Sequence, residues 1–516
     1  MTDIASDAAP PGEAFDLFII GGGINGVGIA RDAAGRGLSV ALAERDDLAS
    51  GTSSASSKLV HGGLRYLEHC EFRLVREALA EREKLMAIAP HLVRPLRFIL
   101  PHGPGLRPAW QIRIGLFLYD RLGGRSARLP GSRAVALDGD AVVKSEFTRG
   151  FSYFDCRVDD ARMVIANARD AADRGALILV RSAVTEARRE GREWRLTTLA
   201  EDGTRRRFRA RALVNAAGPW VADIAERVVG MTPRDRLRLV KGSHVVVPRL
   251  YEGEHAFILQ NADGRIVFVI PFEGRFSLVG TTEIALADLA GPVVISPEEI
   301  RYLAAAVGAF FKRSFAEADI VWSYAGIRPL YDDGRSDPSA VTRDYVFELE
   351  GDKAEAPLLS IFGGKITTYR RLAEHALEKL AAWFPGLKAA WTASRPLPGG
   401  DLDLAKLEAR LIAAHPGLAP EFLRRLALRH GSQALALLDG AQQPADLGID
   451  FGGGLCEREV EHFLRREWAR TAEDVIWRRS KAGLAMSPTQ IARLRDWLAR
   501  RFETPASLRT GGEKAS

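Results

Sequence analysis

Cysteine is scarce in this chain: three residues in 516, at Cys70, Cys156 and Cys456, far apart and never in a CxxC pair. Such spacing excludes a disulfide framework and a thiolate zinc site, and it fits a reducing compartment. No metal-ligand set is expected. Long apolar runs are missing as well, and nothing approaches the roughly eighteen apolar residues of a membrane-spanning helix. The start, MTDIASDAAPPGEAFD, lacks the basic and apolar regions of a secretory signal. Residues 1–13 therefore read as a disordered lead and 506–516 as a disordered tail. Internal repeats are absent, and so is any nucleic-acid module, which leaves nucleic acid out of the expected partners. The net charge of +6, carried mostly by arginine, suits anionic substrates or an anionic membrane surface. A chain this long requires two or three domains, and 47% hydrophobic with 27% charged residues is the balance of a water-soluble globular protein.

What is present is organised around residues 16–44, DLFIIGGGINGVGIARDAAGRGLSVALAE. The apolar run Phe15–Ile20 suits a buried parallel strand and leads into Gly21-x-Gly23-x-x-Gly26. Gly28, Ala30, Ala33 and Ala34 follow at helical spacing, and a second apolar strand, Leu38–Ala43, ends on Glu44. This is a dinucleotide fingerprint in its required setting of strand, turn, helix and strand. Gly21 permits the tight turn, Gly23 the approach of a pyrophosphate, and Gly26 close packing of helix on strand. The helix N-terminus, with Asn25 in its first turn, faces the phosphates. Glu44 stands where a carboxylate accepts the ribose hydroxyls, which disfavours a 2′-phosphate.

Two later glycine sites help to separate NAD from FAD. Strand Ala212–Ala216 runs into Gly218-Pro219-Trp220, and strand Leu358–Phe362 runs into Gly363-Gly364-Lys365 and a helix through Ala382. Together with the small, hydroxylated loop Gly51–Ser57, which includes Thr52, Ser53 and Ser57, and the turn His61-Gly62-Gly63, they form a dispersed set. Dispersed contacts suit an extended FAD better than an NAD held by one compact domain. Between these sites, His244–Pro248, Ile266–Ile270 and Phe276–Val279 read as an antiparallel sheet. Trp110–Leu122 reads either as a core or interdomain helix or as an interfacial element on a membrane. Pro396–Gly400 reads as a linker, and the remainder to Phe502 is rich in helix and arginine.

The blocks TSSASSKLVHGGLRYLEHCEFRLVREALAERE, VNAAGPW, VKGSHVVVPR, IVFVIPF, GTTE, AGIRPL and FGGKITTYRRLAEHALEKL follow the fingerprint in order. In these blocks the chain closely resembles the aerobic, membrane-associated, FAD-dependent glycerol-3-phosphate dehydrogenases of bacteria, from Phe15 to about Phe502. It departs from them in loops such as Glu190–Arg207 and Leu250–His255. More broadly it resembles flavoproteins of the glycine-oxidase-like fold. The resemblance implies an α/β fold: a Rossmann-like FAD domain from 14–96, 150–240 and 318–385, an inserted antiparallel-sheet substrate domain from 97–149 and 241–317, and a C-terminal helical domain over 396–505.

It also implies the reaction, oxidation of sn-glycerol 3-phosphate to dihydroxyacetone phosphate, with electrons leaving for a membrane quinone. The expected location is the inner face of the cytoplasmic membrane, peripherally bound, and a homodimer is left open. Removing the hydroxyl proton needs a base, and His244 can serve or can be a structural histidine. Arg328 can stabilise the developing alkoxide or sit in a surface ion pair. Arg65, Arg343 and Lys365 form a candidate phosphate cluster, joined by Tyr66 and Thr367. Lys365 and His61 are equally candidates beside the flavin. Membrane contacts are sought in Trp110–Leu122 and in Arg465, Arg466, Arg470, Arg478 and Arg479. The alternatives are a glycerol-3-phosphate oxidase using oxygen, an amine or amino-acid oxidase of the same fold, and a non-catalytic flavin-binding regulator.

Overall fold

The computed structural model describes residues 13–124, 126–231, 237–331 and 344–503, without the side chains of Arg65, His69 and Glu503. It divides into two units, Met1–Leu397 and Pro398–Ser516. The expected tail lies outside the described residues, as does the lead apart from Glu13, which already pairs with Phe208.

In the first unit, strands that carry apolar runs form the parallel part of an eight-stranded sheet. Leu358–Phe362, Arg205–Asn215, Glu13–Ile20, Val40–Ala43 and Leu177–Leu179 lie side by side in that order, all parallel. Leu17, Phe18 and Ile19 are fully buried, as strands covered on both faces must be. Val346–Glu350 closes one edge antiparallel, and the hairpin Ser182–Glu190 with Glu193–Ala200 extends the first half of Arg205–Asn215. Register places Ile20 against both Ala43 and Asn215. The carboxyl ends of the central strands, and the glycine turns that follow them, therefore open on one edge, where doubly wound sheets hold their ligands. The helix Ile24–Gly35 packs against the helices Asp160–Asp173 and Tyr369–Leu380. Its small residues permit this: a Cβ on Gly28 would stand 2.8 Å from the Tyr369 ring.

A second sheet of ten strands is mixed rather than antiparallel throughout. Ala256–Gln260 runs parallel to Val93–His102 because these segments meet across a long connection, not a hairpin. Three of its strands, Leu59–Val60, Arg149–Val158 and Trp322–Tyr331, come from segments expected in the FAD domain. An apolar run carries no label for the sheet it will join, so the chain crosses between sheets more often than its sequence suggests. The helix Pro297–Phe310 covers one face, capped by Ser296 and Glu299 in a reciprocal box. Beneath it Phe257, Val269, Val279 and Phe311 form the core.

The second unit carries helices Leu404–Ala414, Pro420–His430, Glu457–Arg466 and Pro488–Glu503 around two apolar clusters. Its arginine run does not form one solvated patch. Arg479 is fully buried and donates to the Glu467 carbonyl at 3.0 Å, and Arg478 pairs with Asp474. Only Arg465, Arg466 and Arg470 of the five are exposed.

Candidate active site

The first glycine turn is built to contact distances. Gly21 has φ +111°, and a Cβ on Gly26 would stand 2.0 Å from the Gly21 carbonyl oxygen. Gly23 lies opposite Ser53, whose hydroxyl accepts from Ile24 N–H at 2.9 Å. Asn25 donates to the Gly363 carbonyl at 3.3 Å, while its Oδ1 is buried with no hydrogen-bond partner among the described residues. Gly364 (φ +92°) faces the same side chain, since a Cβ there would meet Asn25 Nδ2 at 2.9 Å. The first and third glycine sites are thus one place. Glu44 accepts from Gly22 N–H at 2.7 Å and Asp46 N–H at 2.8 Å, and burial raises its pKa. Its carboxylate shapes the turn, and lone pairs remain for a ribose hydroxyl. Gly218 is left-handed at φ +58°, and the Trp220 ring lies beside Gly51 and under the Arg45 guanidinium. Thr52 donates to the Ile327 carbonyl at 2.6 Å, tying this loop to the second sheet.

A cavity of about 290 Å³ opens beside this turn and brings together Ser57, His61, Tyr66, His244, Arg328 and Lys365. Thr52, Ser53, Gly363, Gly364 and Thr367 also reach it; Gly21, Glu44, Gly62, Gly218 and Trp220 stand outside its lining. Arg343 and the side chain of Arg65 lie outside the described residues.

His244 sits on the strand Leu237–Pro248, 2% exposed, with Nε2 2.9 Å from Ser57 Oγ. Its ring stacks on Tyr324 at 4.9 Å, and Nδ1 is buried without a hydrogen-bond partner among the described residues. Gly280, in register opposite, makes room: a Cβ there would lie 2.1 Å from His244 Cδ2. Burial, helped by the charges of Arg328 and Lys58, holds the imidazole pKa well below 6.5. The ring is neutral at physiological pH.

Arg328 is held from two sides, donating to Glu283 at 3.1 Å and Thr281 at 2.8 Å. Lys58 is neutralised by buried Asp160 at 2.9 Å and stands over the Tyr324 ring. Tyr324 in turn donates to the Ser56 carbonyl at 2.8 Å, so the hydroxylated loop and His244 brace one another. Lys365 differs from the other cations. Its Nζ is buried 4.7 Å from the Tyr66 ring centroid, with no hydrogen-bond partner among the described residues. Thr367 Oγ1 accepts from His61 N–H at 3.3 Å.

Four residues of this site escaped the sequence reading: Lys58, Glu283, Thr281 and Tyr324. Tyr324 carried a signal, for it precedes Arg328 by four positions on one strand and so shares its face.

The arrangement pairs a nucleotide cradle with a neutral imidazole and a group of cations. The profile of the FAD dependent oxidoreductase family matches residues 16–370, and that of the C-terminal domain of alpha-glycerophosphate oxidase matches 390–499. The chain belongs to the FAD-dependent oxidoreductases, and its cofactor is FAD. Within that family it is 53% identical to a glycerol-3-phosphate dehydrogenase of Pseudomonas aeruginosa, over 96% of this chain and 98% of the relative. It is 50% identical to a D-erythritol 1-phosphate dehydrogenase of Brucella abortus, over 94% and 98%. Among solved structures it is similar to the glycerol-3-phosphate dehydrogenase of Bacillus halodurans complexed with FAD, with a TM-score of 0.73, 27% identity, and coverage of 96% and 92%. The local geometry fits FAD: the glycine turns leave backbone bare at one sheet edge, and Asn25 Oδ1 awaits a donor there.

Proposed function

We propose that this protein oxidises sn-glycerol 3-phosphate to dihydroxyacetone phosphate and passes the electrons to a membrane quinone. The observation that carries the substrate reading is Lys365, a buried ammonium without a hydrogen-bonded counter-group among the described residues, in the same cavity as His244 and Arg328. A buried charge of this kind calls for an anion, and a phosphate monoester supplies one. FAD, when bound, supplies the acceptor for the hydride leaving the carbinol carbon. His244 takes the hydroxyl proton, its low pKa keeping a lone pair available. Arg328, oriented by Glu283 and Thr281, stabilises the alkoxide that forms. Lys365, with Arg65, Tyr66, Arg343 and Thr367, holds the phosphate. The dianion also offsets the charges that oppose imidazolium formation, so substrate binding raises the basicity of His244 when it is needed.

A longer polyol phosphate is the second reading, favoured by the Brucella relative's name. An amine substrate is disfavoured because it brings no anion to Lys365, and an amino acid because it has no need of a phosphate cluster. Anaerobic addition of glycerol 3-phosphate should bleach the yellow flavin, with D-erythritol 1-phosphate run in parallel. Failure of both to bleach it sinks the reading. Repeating the assay with a quinone analogue and with oxygen separates dehydrogenase from oxidase.

The helix Ala109–Leu122 is the proposed membrane contact at the cytoplasmic face. Ile112, Leu116 and Tyr119 point inward, while Trp110, Ile114 and Phe117 are 61%, 52% and 53% exposed on another face. Exposed Arg107, Arg113 and Arg121 flank that face, the pairing of apolar and basic groups that suits anionic lipid. No helix among the described residues is long and apolar enough to cross a membrane. Light scattering of the purified protein separates a monomer from a homodimer.

A further inference from the structure

A buried polar cluster reaches the cavity wall through Asp155, and neither the cofactor cradle nor the proton-transfer residues use it. Three segments meet there: the helix Phe72–Ile88 through Arg82, the helix Ala109–Leu122 through Tyr119, and the strand Arg149–Val158 through Asp155. Their exposures are 7%, 2% and 2%. Arg82 donates to Asp155 at 2.7 Å and to the Phe154 carbonyl at 3.0 Å. The Tyr119 hydroxyl lies 2.8 Å from each Asp155 oxygen and accepts the Gly62 N–H at 2.7 Å. Burial and the neighbouring Asp155 charge hold the phenol pKa well above 10, so it keeps its proton and donates to the carboxylate. One hydroxyl thereby links a buried ion pair to a single backbone amide.

That amide belongs to the turn that feeds the cavity. On either side of Gly62, His61 and Tyr66 line it, and Tyr66 lies beneath Lys365. The turn has no slack at Gly62, where a Cβ would stand 2.5 Å from Leu79 and 2.7 Å from the Tyr119 hydroxyl. Its next residue, Gly63, is left-handed at φ +76° and lets the chain swing into the helical turn Leu64–His69. The His61 N–H also reaches Thr367 Oγ1 at 3.3 Å.

We propose that Tyr119 and Asp155 are positioning residues, which fix the Gly62 amide and so hold the His61–Tyr66 segment where the substrate phosphate meets Tyr66 and Lys365. This rests on the reading of the cavity as a phosphate-ester site. Packing alone does not need the hydroxyl, because the Tyr119 ring already stacks edge-on against Tyr153 at 5.9 Å and a phenylalanine would do the same. What the hydroxyl adds is the bond it accepts from the Gly62 amide, which otherwise reaches Asp155 only at 3.4 Å, and the one it donates to Asp155.

The test is Tyr119→Phe in the FAD-loaded protein, with Asp155→Asn as a second variant. Hydrogen exchange of the peptide covering residues 59–66 should quicken in Tyr119→Phe without substrate present. The flavin spectrum and the melting temperature should stay close to those of the parent. The apparent KM for glycerol 3-phosphate should rise about tenfold, the loss of one well-made buried hydrogen bond, while kcat changes by less than about twofold. Asp155→Asn should move KM in the same direction. Unchanged exchange of 59–66, or a lower melting temperature with unchanged KM, would show a purely structural role and overturn the proposal. A parent enzyme that glycerol 3-phosphate fails to reduce would instead refute the substrate reading, a separate outcome because the exchange experiment needs no substrate.

Discussion

Replacing Lys365 with methionine should weaken substrate binding and stabilise the empty protein at the same time. The ammonium is buried, and among the described residues it has only the Tyr66 ring face for company. A cation over an aromatic ring recovers about 0.5–2 kcal/mol. Taking an ammonium out of water costs several kcal/mol, so the free protein carries a deficit at this position. Methionine has similar length and volume and no charge, so the substrate-free protein should gain about 1 kcal/mol and melt slightly higher. With substrate the sign reverses. A phosphate monoester carries about −1.5 to −2 charges at neutral pH. At about 4 Å and an effective dielectric of about 20, each pair of unit charges is worth about 4 kcal/mol. Truncating one partner of such a contact typically costs about 2–5 kcal/mol, or about 30-fold to several thousand-fold in KM. Steady-state kinetics and thermal melts of the same FAD-loaded preparation read both effects. A KM within threefold of the parent, taken as about 0.6 kcal/mol, would remove Lys365 from the phosphate site. A variant that melts well below the parent would show that the ammonium has a structural partner.

Three further outcomes are expected. Gly280→Ala puts a methyl group into the space of the His244 ring, so turnover should fall at least about tenfold while FAD stays bound, as absorbance and kcat will show. Glu459 in the second unit is pushed up by burial, but Arg429 at 2.6 Å and His430 at 2.7 Å outweigh that and hold it at about 2. A folded pKa below the unfolded one stabilises above pH 4 to 5 and is lost as pH falls toward 2. About 3 kcal/mol should therefore disappear over that window, and melts of Glu459→Gln should show a flatter acid limb than the parent. Trp110→Glu with Phe117→Glu should abolish sedimentation with anionic vesicles and leave flavin reduction by glycerol 3-phosphate in solution unchanged. Equal sedimentation of variant and parent would move the membrane surface elsewhere.

Local pattern was legible in the sequence where one segment determined its own shape. The strand Leu358–Phe362 lies where its apolar run predicts, and the helix Ile24–Gly35 follows the glycine turn as its spacing predicts. The glycine turn after Ile20 follows from spacing alone, since only glycine tolerates a carbonyl 2.0 Å from its missing Cβ. What required tertiary contact was hidden. Asn25 and Gly363 touch across 338 residues, so the first and third glycine sites read as separate. Glu44 was expected to face the ribose, whereas its oxygens first satisfy the Gly22 and Asp46 amides, which a linear motif does not display. The environment of His244 was equally invisible: Ser57, Tyr324 and Gly280 come from three distant segments, and together they fix its position and orientation. The arginines of the second unit show the opposite error, in which neighbours in sequence point to different surroundings.

The order of strands in the parallel sheet sets a schedule for synthesis. The first strand to leave the ribosome, Glu13–Ile20, needs Arg205–Asn215 as its neighbour, and that strand in turn needs Leu358–Phe362. At about 5–20 residues per second, Asn25 waits about 20 to 70 seconds for Gly363 to emerge. Until then the nucleotide fingerprint is complete in sequence and open in space, with apolar strand edges exposed. Chains truncated before Gly364 should fail to retain FAD, although every residue of the fingerprint is present. Flavin capture should therefore come late, after Gly363 has joined the first glycine turn.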